Sequence, residues 1–182
     1  MNINKYKTLQ KTIPVISYQL FNDEVSLNVE SKNLLLVLNY LKKHINTQFS
    51  LLTCVSGVDL LFTNYRFCVS YDLLSLVNNS RVRVKSFVNE STYIDSSCSV
   101  YKNANWWERE IWDMYGIYFQ NHPDLRRILT DYGFEGYPLR KDFPLSGYVE
   151  VSYDSSKKRV VVEPLELAQE FRLFTYESPW TK

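Results

Sequence analysis

Trp106-Trp107-Glu108-Arg109-Glu110-Ile111-Trp112-Asp113-Met114-Tyr115-Gly116 is the stretch on which the reading of this chain turns. Asn103 stands where a helix over 104–115 wants its cap, and Gly116 where a left-handed residue ends one. Trp107, Ile111 and Tyr115 recur four apart and predict the buried stripe; Arg109 and Asp113, also four apart, predict an ion pair on another side. Beyond the glycine the chain changes character: His122-Pro123-Asp124-Leu125-Arg126-Arg127, then Asp131-Tyr132-Gly133-Phe134-Glu135-Gly136, then Pro138-Leu139-Arg140-Lys141-Asp142-Phe143-Pro144. Residues 116–182 hold five of the six Pro, four of the five Gly and 12 of the 28 aromatics. Pro and Gly break long regular elements, while disordered segments are poor in aromatics, so these rings need burial against the body of the domain or against a partner. Aromatics interleaved with Arg favour a partner.

Upstream of the helix, Val15–Leu20 and Glu24–Val29 read as strands joined by the turn chemistry of Asn22-Asp23, and residues 5–11 as a short helix. Ser31 is a candidate cap for a helix over 32–45, where Leu34, Leu35, Leu38, Leu41 and Ile45 keep helical spacing. Leu51–Val58 reads as an apolar strand in which Gly57 marks a bulge or a close approach. Phe67, Val69 and Tyr71 share one face of a strand over 66–71. Val82, Val84 and Val88 share one face of a strand over 81–88, with Arg81, Arg83 and Lys85 on the other, and Asn78-Asn79 turns the chain between the two. The expected fold class is α+β: a compact N-terminal part, 1–116, with a mixed or antiparallel sheet and helices, followed by an extended irregular C-terminal arm, 117–182. Segment 163–176 fits both periods and is read as extended.

The 182 residues suffice for one domain with a real core and an appendage. A formal net charge of +1 argues against a general nucleic-acid binder. Residues 1–102 carry a net +4 and residues 103–182 a net −3, which suits two surfaces with different partners and falls short of a polybasic membrane patch. There is no apolar run of transmembrane length, and the first seven residues lack the pattern of a signal or transit peptide. Two Ala beside 14 Tyr and 14 Asn suggest an AT-rich genome, such as that of an organelle or a symbiont. Cys54, Cys68 and Cys98 are odd in number and too far apart for a CxxC pair, so free thiols are expected rather than a disulfide framework or a metal site built by this chain alone.

Catalytic signatures are sparse. Glu108 and Glu110 point roughly 200° apart on a helix and cannot serve one substrate atom. Glu110 and Asp113 can converge, and such a pair among aromatics reads as an interface anchor. His122, fixed by Pro123, has neither a nominated nucleophile nor an orienting partner and reads as a structural hydrogen-bonding residue. Phosphate-cradling glycine motifs are absent, and Ser146-Gly147 lacks the preceding Gly of a nucleophile elbow. Arg126-Arg127 and Arg140-Lys141 sit among Asp124, Asp131, Glu135 and Asp142, which predicts ion pairing within the tail or across an interface.

The residues Glu108-Arg109-Glu110 through Asp113, Gly116, His122-Pro123 and Leu125-Arg126-Arg127, with the stretch 131–143, closely resemble the signature of the 30-kilodalton-type subunit of respiratory complex I. The resemblance continues through Glu163-Pro164 and Gln169-Glu170-Phe171-Arg172 to Ser178-Pro179-Trp180, and less specifically over 31–90. It implies a non-catalytic core subunit in the peripheral arm of NADH:ubiquinone oxidoreductase, packed on the hydrogenase-like subunit that helps form the quinone site, with the C-terminal arm wrapped over that neighbour. It further implies that this chain binds no cofactor, that FMN and iron–sulfur clusters reside in other subunits, and that membrane association comes only through the complex. The implied location is the matrix side of the mitochondrial inner membrane with organellar encoding, or the cytoplasmic face of a bacterial membrane. The residues expected at the partner interface are Glu108, Arg109, Glu110, Asp113, His122, Arg126, Arg127, Phe134, Arg140, Lys141, Asp142 and Phe143, with Glu108, Arg109, Glu110 and Asp113 anchoring the helix to the arm or to the partner. The competing expectations are the same subunit type in a hydrogenase-like or other quinone-reducing complex, a free-standing RNA- or protein-binding adaptor, and a small hydrolase using Asp113 and His122.

Overall fold

The computed structural model describes residues 12–22, 24–178 and 180. The helix expected over 5–11, Asp23 of the first turn and Pro179 of the C-terminal motif lie outside those residues. The chain divides into two compact units, Met1–Asp142 and Phe143–Lys182. The boundary expected after residue 116 therefore falls inside the first unit, because residues 117–142 are bonded to the helix and sheet that precede them.

The first unit is built on a five-stranded mixed sheet of β1 (Ser17–Phe21), β2 (Glu24–Val29), β3 (Leu51–Asp59), β4 (Phe67–Ser75) and β5 (Ser80–Val88), in the order β1-β2-β5-β4-β3. Within this sheet the β2–β5 pair is parallel and the other three pairs are antiparallel. The alternation seen in the sequence makes one face of this sheet apolar: Val25, Leu27, Val29, Phe67, Val69, Tyr71, Leu73, Val82, Val84 and Val88 are all buried in one core. Arg81 and Arg83 stand exposed on the other face.

Helix α1 (Leu34–Lys43) contributes Leu34, Val37, Leu38 and Leu41 to the same core. Its entry is a 3-10 turn, Ser31–Asn33, so Ser31 is not a cap; the Asn33 N–H bonds the Glu30 carbonyl instead, and neither Glu30 nor Asn33 caps with its side chain. The helix also stops earlier than its apolar spacing suggests. The Thr47 hydroxyl and the Phe49 N–H both bond the Leu41 carbonyl, which closes the helix and leaves Ile45 exposed.

Helix α2 (Ala104–Tyr115) has the expected bounds, and Gly116 ends it in the left-handed conformation at φ 77°. Asn103 does not cap; its side-chain N–H donates to the Leu52 carbonyl at 2.7 Å and ties the start of the helix to β3. Ile111 is buried, with Trp107 and Tyr115 packed against the core beside it. A bulge between Leu52 and Cys54 brings Val55 and Gly57 into register with Tyr71 and Val69 on the core face, and Gly57 is the close approach of β3 to α2. Two-residue strands β6 (Ile94–Asp95), before α2, and β7 (Phe119–Gln120), after it, pair in parallel; each is too short to show a period in the sequence.

In the second unit β8 (Val149–Asp154) and β9 (Arg159–Pro164) form an antiparallel hairpin. This regular element replaces the irregular chain that composition suggests for the C-terminal segment. Residues 165–176, for which the sequence favours extended structure, carry no regular secondary structure beyond a bend.

A methyl carbon added at Gly57 would lie 2.9 Å from ring carbons of Tyr115. Gly57→Ala is expected to lose about 1–3 kcal/mol of stability in urea unfolding, and a second change, Tyr115→Leu, to recover part of it. An unchanged midpoint for Gly57→Ala would show that α2 and β3 are not locked at this contact.

Candidate functional site

Two fully buried carboxylates on α2 organise the region that the sequence singled out. Glu108 faces the 3-10 turn at Ser97–Ser99. Its Oε2 accepts from the Ser96 hydroxyl at 2.6 Å and the Cys98 thiol at 3.5 Å, and its Oε1 from the Ser97 hydroxyl at 2.6 Å and the Ser97 N–H at 2.7 Å. Asp113 faces the segment after β7. Its Oδ2 accepts the N–H groups of Ile128, Leu129 and Thr130 at 3.1, 2.7 and 2.9 Å, and its Oδ1 the Thr130 hydroxyl at 2.6 Å. Burial of Asp113 opposes its ionisation, but these bonds from Thr130, Leu129 and Ile128 outweigh it and hold the carboxyl below its ordinary value of 3.8.

The predicted Arg109–Asp113 pair gives way to other partners. Arg109 is buried, donates to the Arg126 carbonyl at 3.2 Å and lies over the Trp106 ring. Asp113 is approached by Arg127 at 3.6 Å; Arg127 also donates to the Gly136 carbonyl at 3.0 Å and covers the Tyr137 ring. The end of the segment is fastened to the sheet. Arg140 donates to the Tyr115 carbonyl at 2.7 Å and lies between the Phe67 and Tyr137 rings. The Lys141 N–H bonds Asp59 at 2.9 Å, and Asp142 pairs with Arg66 at 2.8 Å. Arg66 grips Asp59 through two bonds of 3.1 and 3.2 Å and also pairs with Glu90. Burial of Asp59 is outweighed by Arg66 and the Lys141 N–H, so its carboxyl too stays below the ordinary value.

Of the residues expected at a partner interface, Glu108, Arg109 and Asp113 are therefore buried inside this chain, where each binds its own fold. His122 joins them: its side chain is fully buried, 3.8 Å from Glu108. Arg127 through Asp113, Arg140 through the Tyr115 carbonyl, Asp142 through Arg66 and the Lys141 backbone through Asp59 hold the 117–142 strap to the body. Arg126 is exposed and pairs locally with Asp124 at 2.8 Å, while Glu110 and Phe134 are half-buried. Phe143 belongs to the second unit, where it meets the Tyr148 ring at 5.5 Å. Sequence reasoning missed Asp59, Arg66, Glu90, Ser96 and Ser97. Asp59 and Lys141 are 82 positions apart, and no local pattern announces such a pairing.

Among the described residues one metal-like group occurs: Cys98, Glu108 and His122 bring their ligand atoms within 4.8 Å of one another. Its chemistry does not fit a metal. Four donors already occupy the Glu108 oxygens, and burial, with Glu108 beside it, pushes the Cys98 thiol up to about 11. His122 Nδ1 accepts the Asp124 N–H at 3.1 Å, so Nε2 carries the proton toward the Asn105 carbonyl at 3.2 Å; a metal at Nε2 would need the opposite tautomer. The three cysteines are likewise dispersed. Cys54 stands opposite Asp72 and Cys68 opposite Val58 on the β3–β4 ladder, and Cys98 lies in the 3-10 turn, which does not fit the thiolate set of an iron–sulfur cluster.

The arrangement is a scaffold that holds a surface strap in one conformation on an α+β body. The family model described as respiratory-chain NADH dehydrogenase, 30 Kd subunit, matches residues 27–149, and the chain belongs to that family. It is 50% identical to NADH-ubiquinone oxidoreductase subunit 9 of Prototheca wickerhamii over 99% of this chain and 95% of the relative. With the protein of the same name from Reclinomonas americana it shares 55% identity over 86% of this chain and 77% of the relative. With NADH dehydrogenase [ubiquinone] iron-sulfur protein 3 of Arabidopsis thaliana the figures are 58%, 79% and 76%. Among solved structures, a chain of the membrane-bound sulfane sulfur reductase, an archaeal respiratory membrane complex, has the same fold, with a TM-score of 0.67 at 20% identity over 78% of this chain and 85% of that one.

Asp113→Asn removes the charge and turns one of the two acceptor oxygens into an NH2, which must face either the three backbone N–H groups or the Thr130 hydroxyl and the nearby Arg127. A loss of about 2–4 kcal/mol is expected in chemical unfolding at pH 7. The Asp113 pKa is lower folded than unfolded, so its stabilisation is complete above the unfolded value and fades as pH falls through the folded one. The gap between wild type and Asp113→Asn should therefore be level near neutrality and narrow below about pH 4. A gap that stays constant down to pH 2 would contradict the assignment.

Proposed function

We propose that this chain is a core subunit of the peripheral arm of NADH:ubiquinone oxidoreductase, placed in its quinone-reducing module, and that its contribution is assembly and rigidity rather than chemistry of its own. Support comes from relatives at 50–58% identity whose names specify NADH and ubiquinone. The observation that carries the structural role is the strap over 117–142. It is pinned by Asp113 and the Tyr115 carbonyl of α2 and by Asp59 of β3, and it turns Leu129, Tyr132 and Leu139 outward, with Tyr132 fully exposed. Apolar side chains on a rigid segment lose little entropy on docking, and exposed apolar groups of this kind mark interfaces. The occupant in this reading is the hydrogenase-like subunit beside the quinone site, with other peripheral-arm subunits adjoining.

In the same reading the chain binds no flavin and no cluster. FMN and the iron–sulfur clusters sit in other subunits, and electron flow to quinone, coupled to proton translocation, runs through them. The interface residues on this chain are the exposed groups Arg126 and Lys141 with Phe134 and Phe143 as apolar plugs, while Glu108, Arg109 and Asp113 act from inside. The location is the matrix side of the mitochondrial inner membrane, reached through the complex; no helix among the described residues is long and apolar enough to cross a membrane.

Native-gel separation of gently solubilised membranes, with mass spectrometry of each slice and an in-gel NADH-oxidation stain, tests this. The chain is expected in a very large NADH-oxidising band, and Leu129→Ser combined with Tyr132→Ala should deplete it there, each truncation of a central contact costing about 2 kcal/mol. Migration only as a small soluble species would overturn the proposal in favour of a free-standing adaptor, and a large band without NADH oxidation would favour a hydrogenase-like complex.

A further inference from the structure

The hairpin of the second unit has an alternation that can be followed residue by residue. The Leu165 N–H donates to the Tyr148 carbonyl at 3.0 Å, so Tyr148 and Leu165 form a hydrogen-bonded pair. Bonded and unbonded pairs alternate in an antiparallel ladder. Glu150/Glu163, Ser152/Val161 and Asp154/Arg159 are thus bonded pairs, and Val149/Pro164, Val151/Val162 and Tyr153/Val160 are unbonded ones. At unbonded positions the backbone N–H and C=O point away from the partner strand. The outer edge of β8 therefore presents three uninterrupted donors, the N–H groups of Val149, Val151 and Tyr153, in a sheet of two strands. The outer edge of β9 is interrupted at Pro164, which has no N–H to offer.

The two faces of the hairpin differ as well. Val149, Val151, Tyr153, Val160 and Val162 lie on one face with Pro164, each of the five more than half exposed. On the other face Glu150 is directly opposite Glu163, a like-charge pair that weakens a hairpin. Ser152 donates to Glu163 at 3.4 Å, and among the described residues neither carboxylate has a cationic partner. A two-stranded hairpin with these defects is marginal by itself in water. A third strand along β8 would bond these three N–H groups, which have no backbone partner among the described residues, and a cation on it would relieve the acidic pair.

We propose that the outer edge of β8 docks an extended strand of a partner polypeptide, in which apolar residues alternate opposite Val149, Val151 and Tyr153 and a Lys or Arg stands beside Glu150. This docking rests on the chain being a subunit of a larger complex, and it names the backbone edge by which the second unit is held. Strand addition gives affinity through main-chain bonds and specificity through the alternate side chains.

Hydrogen exchange of the full chain inside the purified complex tests it. The amides of Val149, Val151 and Tyr153 are expected to exchange at least tenfold more slowly than those of Val160 and Val162. Two variants add an assembly readout. Val151→Pro removes an outward N–H from the β8 edge, and Val162→Pro does the same on the β9 edge; both spare the bonds between the two strands. Val151→Pro should lower the amount of chain in the large band several-fold, and Val162→Pro should leave it. If the chain is in the complex but the three β8 amides exchange as fast as the β9 pair, or if both variants assemble equally, the docking is wrong while the subunit reading stands. If the wild-type chain is absent from the complex, both fall together.

Discussion

The burial of two acidic side chains on one helix is the constraint around which the first unit is arranged. Glu108 and Asp113 are five residues apart, about 140° around the helix axis, so they face different neighbours. A carboxylate out of water costs several kcal/mol unless its lone pairs are filled. Both are filled, one by the 96–98 segment and the other by 128–130. The 3-10 turn at Ser97–Ser99 and the irregular backbone of 128–130 are thereby both tied to α2. The carboxylates do locally what a sheet does over longer distances: they take up N–H groups that the chain cannot bond internally.

The far end of the strap is held by a different device. Asp59, at the end of β3, receives two bonds from Arg66 and one from the Lys141 backbone, while Arg66 reaches on to Asp142. Arg140, between two aromatic rings, bonds the last carbonyl of α2 and closes the same corner. Because planar guanidinium groups bond and stack at once, a short segment can be fixed by few residues. The consequence for function lies outside the network. While Arg127 and Arg140 bond inward, the strap turns Leu129, Tyr132 and Leu139 to the surface beside exposed charges such as Arg126 and Lys141. In the proposed role, apolar side chains on a segment fastened in this way lose less entropy on docking than those on a free one.

Much of the sheet and of α2 was legible because periodicity and end signals are local. Alternating Val residues in 82–88, the Trp107–Ile111–Tyr115 spacing and the stop at Gly116 each report burial or backbone angle within a few residues. Where local signals misled, a distant partner had prevailed. Asn103 looked like a cap and instead bonds Leu52, 51 positions away; Ile45 kept the apolar spacing, but Thr47 and Phe49 closed the helix before it. The β8–β9 hairpin was hidden because its apolar face is exposed, and the high Pro and Gly content around it pointed to irregular chain.

The sequence by itself determined the α+β class, the bounds of α2 and the identity of the charged and aromatic residues that matter, since those follow from neighbours along the chain. The family resemblance was legible there as well, because it resides in side-chain order. Only the tertiary structure decided what those charges do. Glu108 and Asp113 read as anchors to the arm or to a partner, and the structure bonds Asp113 to the strap at 128–130 and Glu108 to Ser96, Ser97 and Cys98 of its own chain. Whether a carboxylate faces a partner or its own fold depends on which donors reach it in space, and contacts made across 82 residues, as between Asp59 and Lys141, leave no trace in local spacing.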